Sequence, residues 1–535
     1  MDNRLEYVKE ILLDYQNITN VKIESEESVC FSLHGAEYAL YLFDDDMFPI
    51  ICILNNIENY PHYNLQKINF AGRDNQSICL FEEGTVIQYI HTPKEKIKLC
   101  IERLIQLSSL SDKEKVSEYQ KEFLVYWEKA CSTKTKYSSN KYQLYLDDPD
   151  KYCWLKQKQY PYNVVRISKD GYFFNDANKS SFVDKTPVLY LPIVNDKNIL
   201  PPLPDKPWGG EQINAIINSL DYQYISSDAF NEIRTTSFSH KEIILIFRLH
   251  TLFFACVVVF QNAGTYKLNI KIESKIQSVI PIVVKRCDFS YLNEQIGNEV
   301  SEKHIAVVGA GSLGSYVATE LIYAGFKKIS IIDDDTYRYE NTFRHAIRHF
   351  SNYYSKAELL KVELQDIHPE IEITAHNEKL SESNISILEK IAPDIIIFTV
   401  GSSDVQLRLN KLLFKNKCSI PIFYVWLEAD GETSHVTAVR NFNEGCFECL
   451  FTDEEGNLCA NVLNTTKAQL NFIRNGCGGT RVPYGNKTLL TATATLLYAL
   501  HDKVSKNKTY SFYQKKIVER GFPQNKRCNC CGVYK

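Results

Sequence analysis

The sequence has little of what would place it in a special class. Glycine and proline number only 22 and 17 among 535 residues, and no tract of low complexity occurs. This excludes collagen-like and disordered chains. Positive charge is not in excess: 61 Lys and Arg against 65 Asp and Glu leave a net charge of −4. Without a global basic field, no direct nucleic-acid partner is expected. Long hydrophobic runs are missing as well. The most apolar stretch, Leu252 to Phe260, is too short to span a bilayer and reads as a buried strand. The first residues, MDNRLEYVKEILLDY, form an acidic amphipathic helix and lack the basic-then-apolar order of a secretory signal. A cytoplasmic protein with no membrane partner is the expectation. In that reducing compartment the 16 cysteines argue against a disulfide framework and point to metal ligation and thiol chemistry.

The pattern along the chain predicts three domains. Residues 1–130 read as a compact α+β unit: a helix, a meander of short antiparallel strands as far as Leu54, a Pro-containing loop, the segment SICLF and two helical stretches, Pro93 to Ser109 and Asp112 to Ala130. Residues 131–300, rich in Tyr, Asn, Lys and β-branched side chains and punctuated by ILPPLPDKPWGG, read as a mixed connecting domain. From 301 to 535, apolar strands such as HIAVVGAG, KISIIDDD and DIIIFTVG alternate with helices. Continuous apolar strands separated by helices predict a doubly wound α/β domain with a parallel sheet.

Gly309, Gly311 and Gly314 form a Gly-x-Gly-x-x-Gly loop between a strand and a helix. Such glycines let the backbone approach a phosphate, while the helix N-terminus supplies N–H donors. Asp333 closes the next strand, where a carboxylate can accept from ribose hydroxyls. These features alone fit NAD as well as ATP. Arg344 and Lys356 add two cations, which phosphate chemistry requires and hydride transfer does not.

The run GAGSLGSYVATELIYAGFKKISIIDDDTYRYENTFRH resembles the adenylation domain of ubiquitin-activating-type enzymes, the family that includes ThiF and MoeB. That resemblance implies a Rossmann-like fold in which Asp333 holds the ribose of ATP and Asn341, Arg344 and Lys356 hold its phosphates. It makes Asp404, in Gly401-Ser402-Ser403-Asp404, the counterpart of the family's magnesium-binding Asp, with the register left open.

Cys446-Phe447-Glu448-Cys449 and Cys528-Asn529-Cys530-Cys531 form two Cys-x-x-Cys pairs. Together Cys446, Cys449, Cys528 and Cys531 supply the four thiolates of a tetrahedral Zn2+ site, with Cys530 an alternative to Cys528. The resembling family carries a paired site at the corresponding place. Cys477 lies in the Gly-rich NGCGGTR, exposed and close in sequence to Arg481, which would favour its thiolate. By resemblance it is the cysteine that forms a thioester. The run from FPIICILNN to SICLFEEG is similar to the core of a ubiquitin-conjugating enzyme, which makes Cys79 its active-site cysteine. The His-Pro-Asn element that precedes such a cysteine is missing; Asn75, Asn69 and His91 are open candidates for the oxyanion role. Cys52, Cys100 and Cys256 sit in apolar patterns and read as core, and His435 as a satisfied structural histidine.

Conjugating-like unit, connecting domain and activating-like domain occur in the same order in the fused proteins of bacterial CBASS antiviral operons. The resemblance implies a homodimer that uses ATP and Mg2+ to activate the C-terminus of a substrate protein, a cGAS-like nucleotidyltransferase, and passes it from Cys477 to Cys79 and on to an amine. Two alternatives stand beside it: a sulfur-carrier adenylyltransferase of the ThiF/MoeB type and an NAD-dependent oxidoreductase.

Overall fold

A computed structural model describes residues 3–42, 47–54, 61–70, 73–81, 90–132, 135–146, 148–169, 186–193, 199–202, 207–219, 237–238, 240–249, 251–262, 264–267, 272–348, 354–368, 370–428, 430–458, 473–474, 480–481 and 484–532. They fall into two compact units, which divide between Arg286 and Cys287.

The first unit opens with helix α1 (Asn3–Leu13) and strands β1 (Ile18–Ile23), β2 (Ser28–Leu33), β3 (Ala36–Tyr41) and β4 (Ile50–Ile53). This is the meander that the alternating pattern predicts. The stretch up to SICLF adds a hairpin that the sequence pattern did not show, β5 (Tyr63–Phe70) and β6 (Arg73–Ile78). The antiparallel sheet has the order β1-β2-β3-β4-β6-β5. Helix α2 (Pro93–Ser108) begins at a capping box, Thr92 with Glu95, and has Pro93 in its first turn, where a missing N–H costs nothing. It buries Ile97, Cys100, Ile101 and Leu104 in the same core as Leu5, Val8 and Leu12 of α1.

The predicted helix Asp112 to Ala130 is two helices, α3 (Asp112–Lys121) and α4 (Phe123–Ala130). The second does not close the N-terminal core. Phe123 and Trp127 stack with each other and pack on Phe254, with ring centroids 4.6 and 4.9 Å away, and Trp127 Nε1 donates to the Ile282 carbonyl at 3.1 Å. α4 thus belongs to the core of the next sheet, ahead of the boundary expected at 130. That sheet contains β7 (Lys141–Leu144), β8 (Cys153–Tyr160), β9 (Val164–Ser168), β10 (Val188–Ile193), β12 (Glu242–Leu249), β13 (Leu252–Phe260), β15 (Ile276–Ile282) and β16 (Val284–Arg286), in the order β15-β13-β12-β10-β8-β9-β7-β16. The short pair β11 (Ser237–Phe238) and β14 (Tyr266–Lys267) stands apart from it. Helix α5 (Gly210–Ser219) buries Ile213, Ile216 and Ile217 in the core that holds Trp127. As expected, Leu252–Phe260 is a buried strand, and Cys256 is fully enclosed.

The second unit starts at Cys287, ahead of the expected 301, because α6 (Phe289–Gln295) buries Phe289 in the α/β core. Strands β17 (Ser301–Val308), β18 (Phe326–Ile332), β19 (Glu372–His376), β20 (Ile395–Phe398) and β21 (Ile422–Leu427) are parallel, in the order β19-β18-β17-β20-β21. Their connections run through helices α7 (Ser312–Tyr323), α8 (Lys356–Ile367), α9 (Ile387–Ile391) and α10 (Ser403–Lys415). This is the doubly wound arrangement the sequence predicts. The sheet is mixed rather than purely parallel, since β22 (Ser434–Val439), β25 (Lys508–Tyr513) and β26 (Lys516–Gly521) extend it antiparallel. The small hairpin β23 (Ile473–Arg474) and β24 (Thr480–Arg481) and helix α11 (Asn486–His501) complete the unit. Among the described residues, no helix is long and apolar enough to cross a membrane.

Candidate active site and metal centre

The strand order reverses between β17 and β20, and the loop after β17 lies at that switch, where doubly wound sheets bind ligands beyond the carboxyl ends of their strands. The three glycines there have different tasks. Gly309 has φ +101°, which side-chain-bearing residues rarely adopt. A Cβ on Gly314 would lie 1.8 Å from the Gly309 carbonyl oxygen, so α7 can close on the strand only without one. Gly311 caps α7, and a Cβ built there meets nothing within 4 Å. Neither strain nor crowding demands glycine at 311, and the space over it is open to an incoming group.

The loop is clamped through the peptide units of residue 310. Its N–H donates to Asp333 Oδ2 at 2.6 Å, and its carbonyl accepts from His345 Nε2 at 2.7 Å. Because His345 Nδ1 accepts from the Ile347 N–H at 3.2 Å, the ring proton sits on Nε2. Burial lowers the pKa of this histidine to about 4, and nearby Lys356 and Arg344 work in the same direction. Thr399 Oγ1 donates to the Gly309 carbonyl at 2.7 Å, and Ser315 Oγ accepts from the Ala346 N–H at 3.0 Å. Sequence patterns did not single out His345, Thr399 or Ser315. The only local sign of His345 was its position directly after Arg344.

Asp333 is largely enclosed, and burial raises its carboxyl above the usual range. Its second oxygen accepts from the Asp335 N–H at 2.8 Å; a carboxylate with one bond to each oxygen keeps lone pairs for a hydroxyl. Lys356 begins α8, is buried, and bonds its Nζ to Asp335 Oδ2. Burial works against the Asp335 charge, but the Lys356 bond and charge outweigh it and hold the carboxyl low. An isolated bridge between Thr336 and Ser355 brings these two segments together. Arg344 is half-buried and its Nε has no hydrogen-bond partner, so this donor is available to an anion. Asn341 is buried, and its Oδ1 accepts from the Arg338 N–H at 2.8 Å. Asp404, in the first turn of α10, is exposed and pairs with Arg408 at 3.1 Å.

The second cluster is built from the two Cys-x-x-Cys turns. Cys446, Cys449, Cys528 and Cys531 are buried, with their sulfurs all within 4.8 Å of one another. The Sγ separations are 3.9 Å for Cys446 and Cys449, 3.7 Å for Cys446 and Cys528, and 3.3 Å for Cys449 and Cys531. Bonds of about 2.3 Å to a tetrahedral ion require sulfurs about 3.8 Å apart, so the four thiols fit such an ion. Cys530 stands at the edge of this group: its thiol contacts Cys446 and its sulfur accepts from Asn410 Nδ2 at 3.4 Å, but it is not one of the four sulfurs that lie within 4.8 Å of one another. Asn410 in turn accepts from the Phe447 N–H at 3.1 Å and the Tyr424 hydroxyl at 3.3 Å. This packing distinguishes Cys528 from Cys530, which spacing left open.

Cys477 lies outside the described residues. Cys79 follows β6 and is half-buried, with its N–H on the His62 carbonyl at 2.7 Å and its Sγ 3.6 Å from the Phe81 carbonyl. His435 is a core residue, as expected, but only half satisfied: Nδ1 lies 2.7 Å from Ser511 Oγ, while Nε2, 3.0 Å from Glu428 Oε1, makes no hydrogen bond.

Residues 287–524 match the ThiF family, so this stretch is a ThiF-family domain. Over 213 residues the chain is 26% identical to the ATP-dependent ubiquitin transferase-like protein Cap2 of Pseudomonas aeruginosa, covering 38% of this chain and 37% of that one. Over 156 residues it is 31% identical to the adenylyltransferase and sulfurtransferase UBA4 of Yarrowia lipolytica, covering 29% and 37%. The chain thus spans well under half the length of these relatives. Among solved structures, Escherichia coli MccB with ATP aligns with a TM-score of 0.32 and 19% identity, over 43% of this chain and 67% of that one.

Proposed function

We propose that the ThiF-family domain adenylates the C-terminal carboxylate of a substrate protein with ATP, and that the chain then carries the acyl group through two thioesters to an amine. The observation that carries this reading is the open backbone over Gly311 at the sheet's switch point, with Arg344 beside His345, which bonds that loop, and Lys356 paired with Asp335, two residues past the Asp333 that also bonds it. A carboxylate attacks the α-phosphorus and expels pyrophosphate. Arg344 and Lys356 balance the charge that builds on the phosphate oxygens, and Asp333 orients the ribose. Asp404 would hold Mg2+, which neutralises the leaving pyrophosphate. Zn2+ in the four-thiol cluster fastens the C-terminal turn to the sheet.

In the next step the Cys477 thiolate attacks the acyl carbon and releases AMP. The Cys79 thiolate takes the acyl group and frees Cys477, and a lysine amine then forms the amide and frees Cys79. A cGAS-like nucleotidyltransferase is the proposed substrate and a homodimer the proposed assembly, both on the resemblance to fused CBASS proteins. The likeness to UBA4 favours a second reading, adenylation of a sulfur carrier, which shares the nucleotide site and has no use for Cys79.

ATP–pyrophosphate exchange in the presence of a candidate substrate tests the reading. Arg344→Ala should lower it by roughly 100-fold or more in a folded protein; an unchanged rate rejects the site. Cys79→Ala should leave a reducible adduct on Cys477 and no amide, whereas normal amide formation would leave only the adenylation step standing.

A further inference from the structure

The hairpin that ends at Cys79 is held from an unexpected direction. His62 has φ +64°, a left-handed conformation that is costly for a non-glycine residue and persists where its surroundings hold it. Its carbonyl takes the Cys79 N–H at 2.7 Å, one rung beyond the pairing of Tyr63 with Ile78. Its ring is buried, and Nε2 donates to Glu118 Oε2 at 2.6 Å while Nδ1 lies 3.5 Å from Glu122 Oε1. The two carboxylates are four residues apart, on and just after α3, and are only 15% and 12% exposed. Lys121 also reaches Glu118, at 2.6 Å. Burial opposes the Glu118 charge, but its bonds from Lys121 and His62 outweigh that and hold the carboxyl below its usual range.

Glu122 leads directly into α4, whose Phe123 and Trp127 are fixed in the core of the neighbouring sheet. A chain of contacts therefore runs from that core through Glu122 and Glu118 to the His62 ring, and through the His62 carbonyl to the Cys79 peptide. Two carboxylates so enclosed would be costly without partners; the ring, with Lys121 on Glu118, supplies them and ties the hairpin to α3. We infer that His62 is a positioning residue for acyl transfer at Cys79, with Glu118 and Glu122 as its anchors. This rests on the reading of Cys79 as the second acyl acceptor. A thiol that must meet a thioester on another thiol gains from a fixed approach, since a displacement of about 1 Å can slow a reaction on the order of 100-fold.

The test uses the full chain and two readouts. Amide hydrogen exchange at Cys79, read by fragmentation mass spectrometry, should speed up in His62→Ala at least tenfold, while exchange in Ile51 to Ile53 stays unchanged. Single-turnover transfer from the Cys477 thioester to Cys79 should fall tenfold or more, with the first thioester forming at the normal rate. His62→Gln, whose amide can still donate to Glu118, should restore most of both, and it keeps the test sound should His62→Ala fail to fold. Unchanged exchange at Cys79 in folded His62→Ala overturns the anchor, as does tenfold faster exchange in His62→Gln, which keeps a donor to Glu118; faster exchange with an unchanged transfer rate overturns the positioning role. If Cys79→Ala conjugates normally, the reading of Cys79 falls, while the exchange result still judges the anchor by itself.

Discussion

The glycine loop after β17 and the Cys79 strand end hold their backbone by opposite means. After β17, the restraints on the loop come from backbone geometry and from partners on several segments that meet there: a left-handed Gly309, a Gly314 with no room for a side chain, the residue 310 peptides clamped by Asp333 and His345, and Thr399 on the Gly309 carbonyl. At Cys79, the last rung of a two-stranded ladder is set by a histidine whose anchors lie 56 and more residues further on. A parallel sheet delivers many strand ends to one crevice, so a site there is crowded with fixed partners. Beyond Ser77, where its pairing with β4 stops, the end of β6 keeps only its β5 neighbour and takes its rigidity from a helix. The first kind of site should resist local opening, and the second should depend on a few distant side chains.

The strongest way to break the α/β side of this contrast is to remove a thiol from its four-cysteine cluster. With the zinc proposed there, elemental analysis should find about one ion per chain in the unaltered protein and none in Cys528→Ser, which should cost the second unit about 5 kcal/mol or more, because ligand binding and folding are coupled at such a site. Cys530→Ser, which alters the contacts with Asn410 and Cys446 but leaves the four clustered thiols in place, should keep the metal.

The glycines divide strain from ligand contact. Gly314→Ala should destabilise the second unit by about 3 kcal/mol, measured by chemical denaturation, since its Cβ would overlap the Gly309 carbonyl. Gly311→Ala should change stability by less than about 0.5 kcal/mol and instead raise the KM for ATP. If both variants behave alike, the open space over Gly311 is not where the nucleotide sits.

His345 gives a dependence on pH with a defined sign. Its folded-state pKa of about 4 lies below the ordinary 6.5, so between these values the native state binds fewer protons than the unfolded one. Stability from this residue is complete above pH 6.5 and is lost as pH falls toward 4. Between pH 7 and pH 4.5 the loss should be about 2 kcal/mol, and His345→Gln should remove that part of the slope in urea titrations.

The smallest effect belongs to the other unit. Thr92 accepts from the Glu95 N–H while Glu95 accepts from the Thr92 N–H at 2.7 Å. Thr92→Ala should cost the first unit about 1 kcal/mol and leave the second unit's unfolding untouched.

Some of this was legible in the sequence because the restraints are local. Gly309, Gly314 and Asp333 declare themselves by order along a strand, a turn and a helix, and continuous apolar runs such as Ile395–Phe398 mark strands buried on both faces. The four thiols are likewise written in two tight turns, and Cys52, Cys100 and Cys256 proved to be core as their apolar settings predict. Other features had no local trace. The hairpin β5–β6 lacks clean alternation, α4 is amphipathic in a way that does not say which sheet it serves, and the choice of Cys528 over Cys530 came from an asparagine on α10. His345 on the loop and His62 against Glu118 are pairings across 35 and 56 residues. Turns and the residue types able to carry phosphate and thiol chemistry can be read from the chain, because steric and charge requirements act within a few residues. Which polar groups meet is set by the fold, since burial favours a partner for most of them and folding brings that partner within reach.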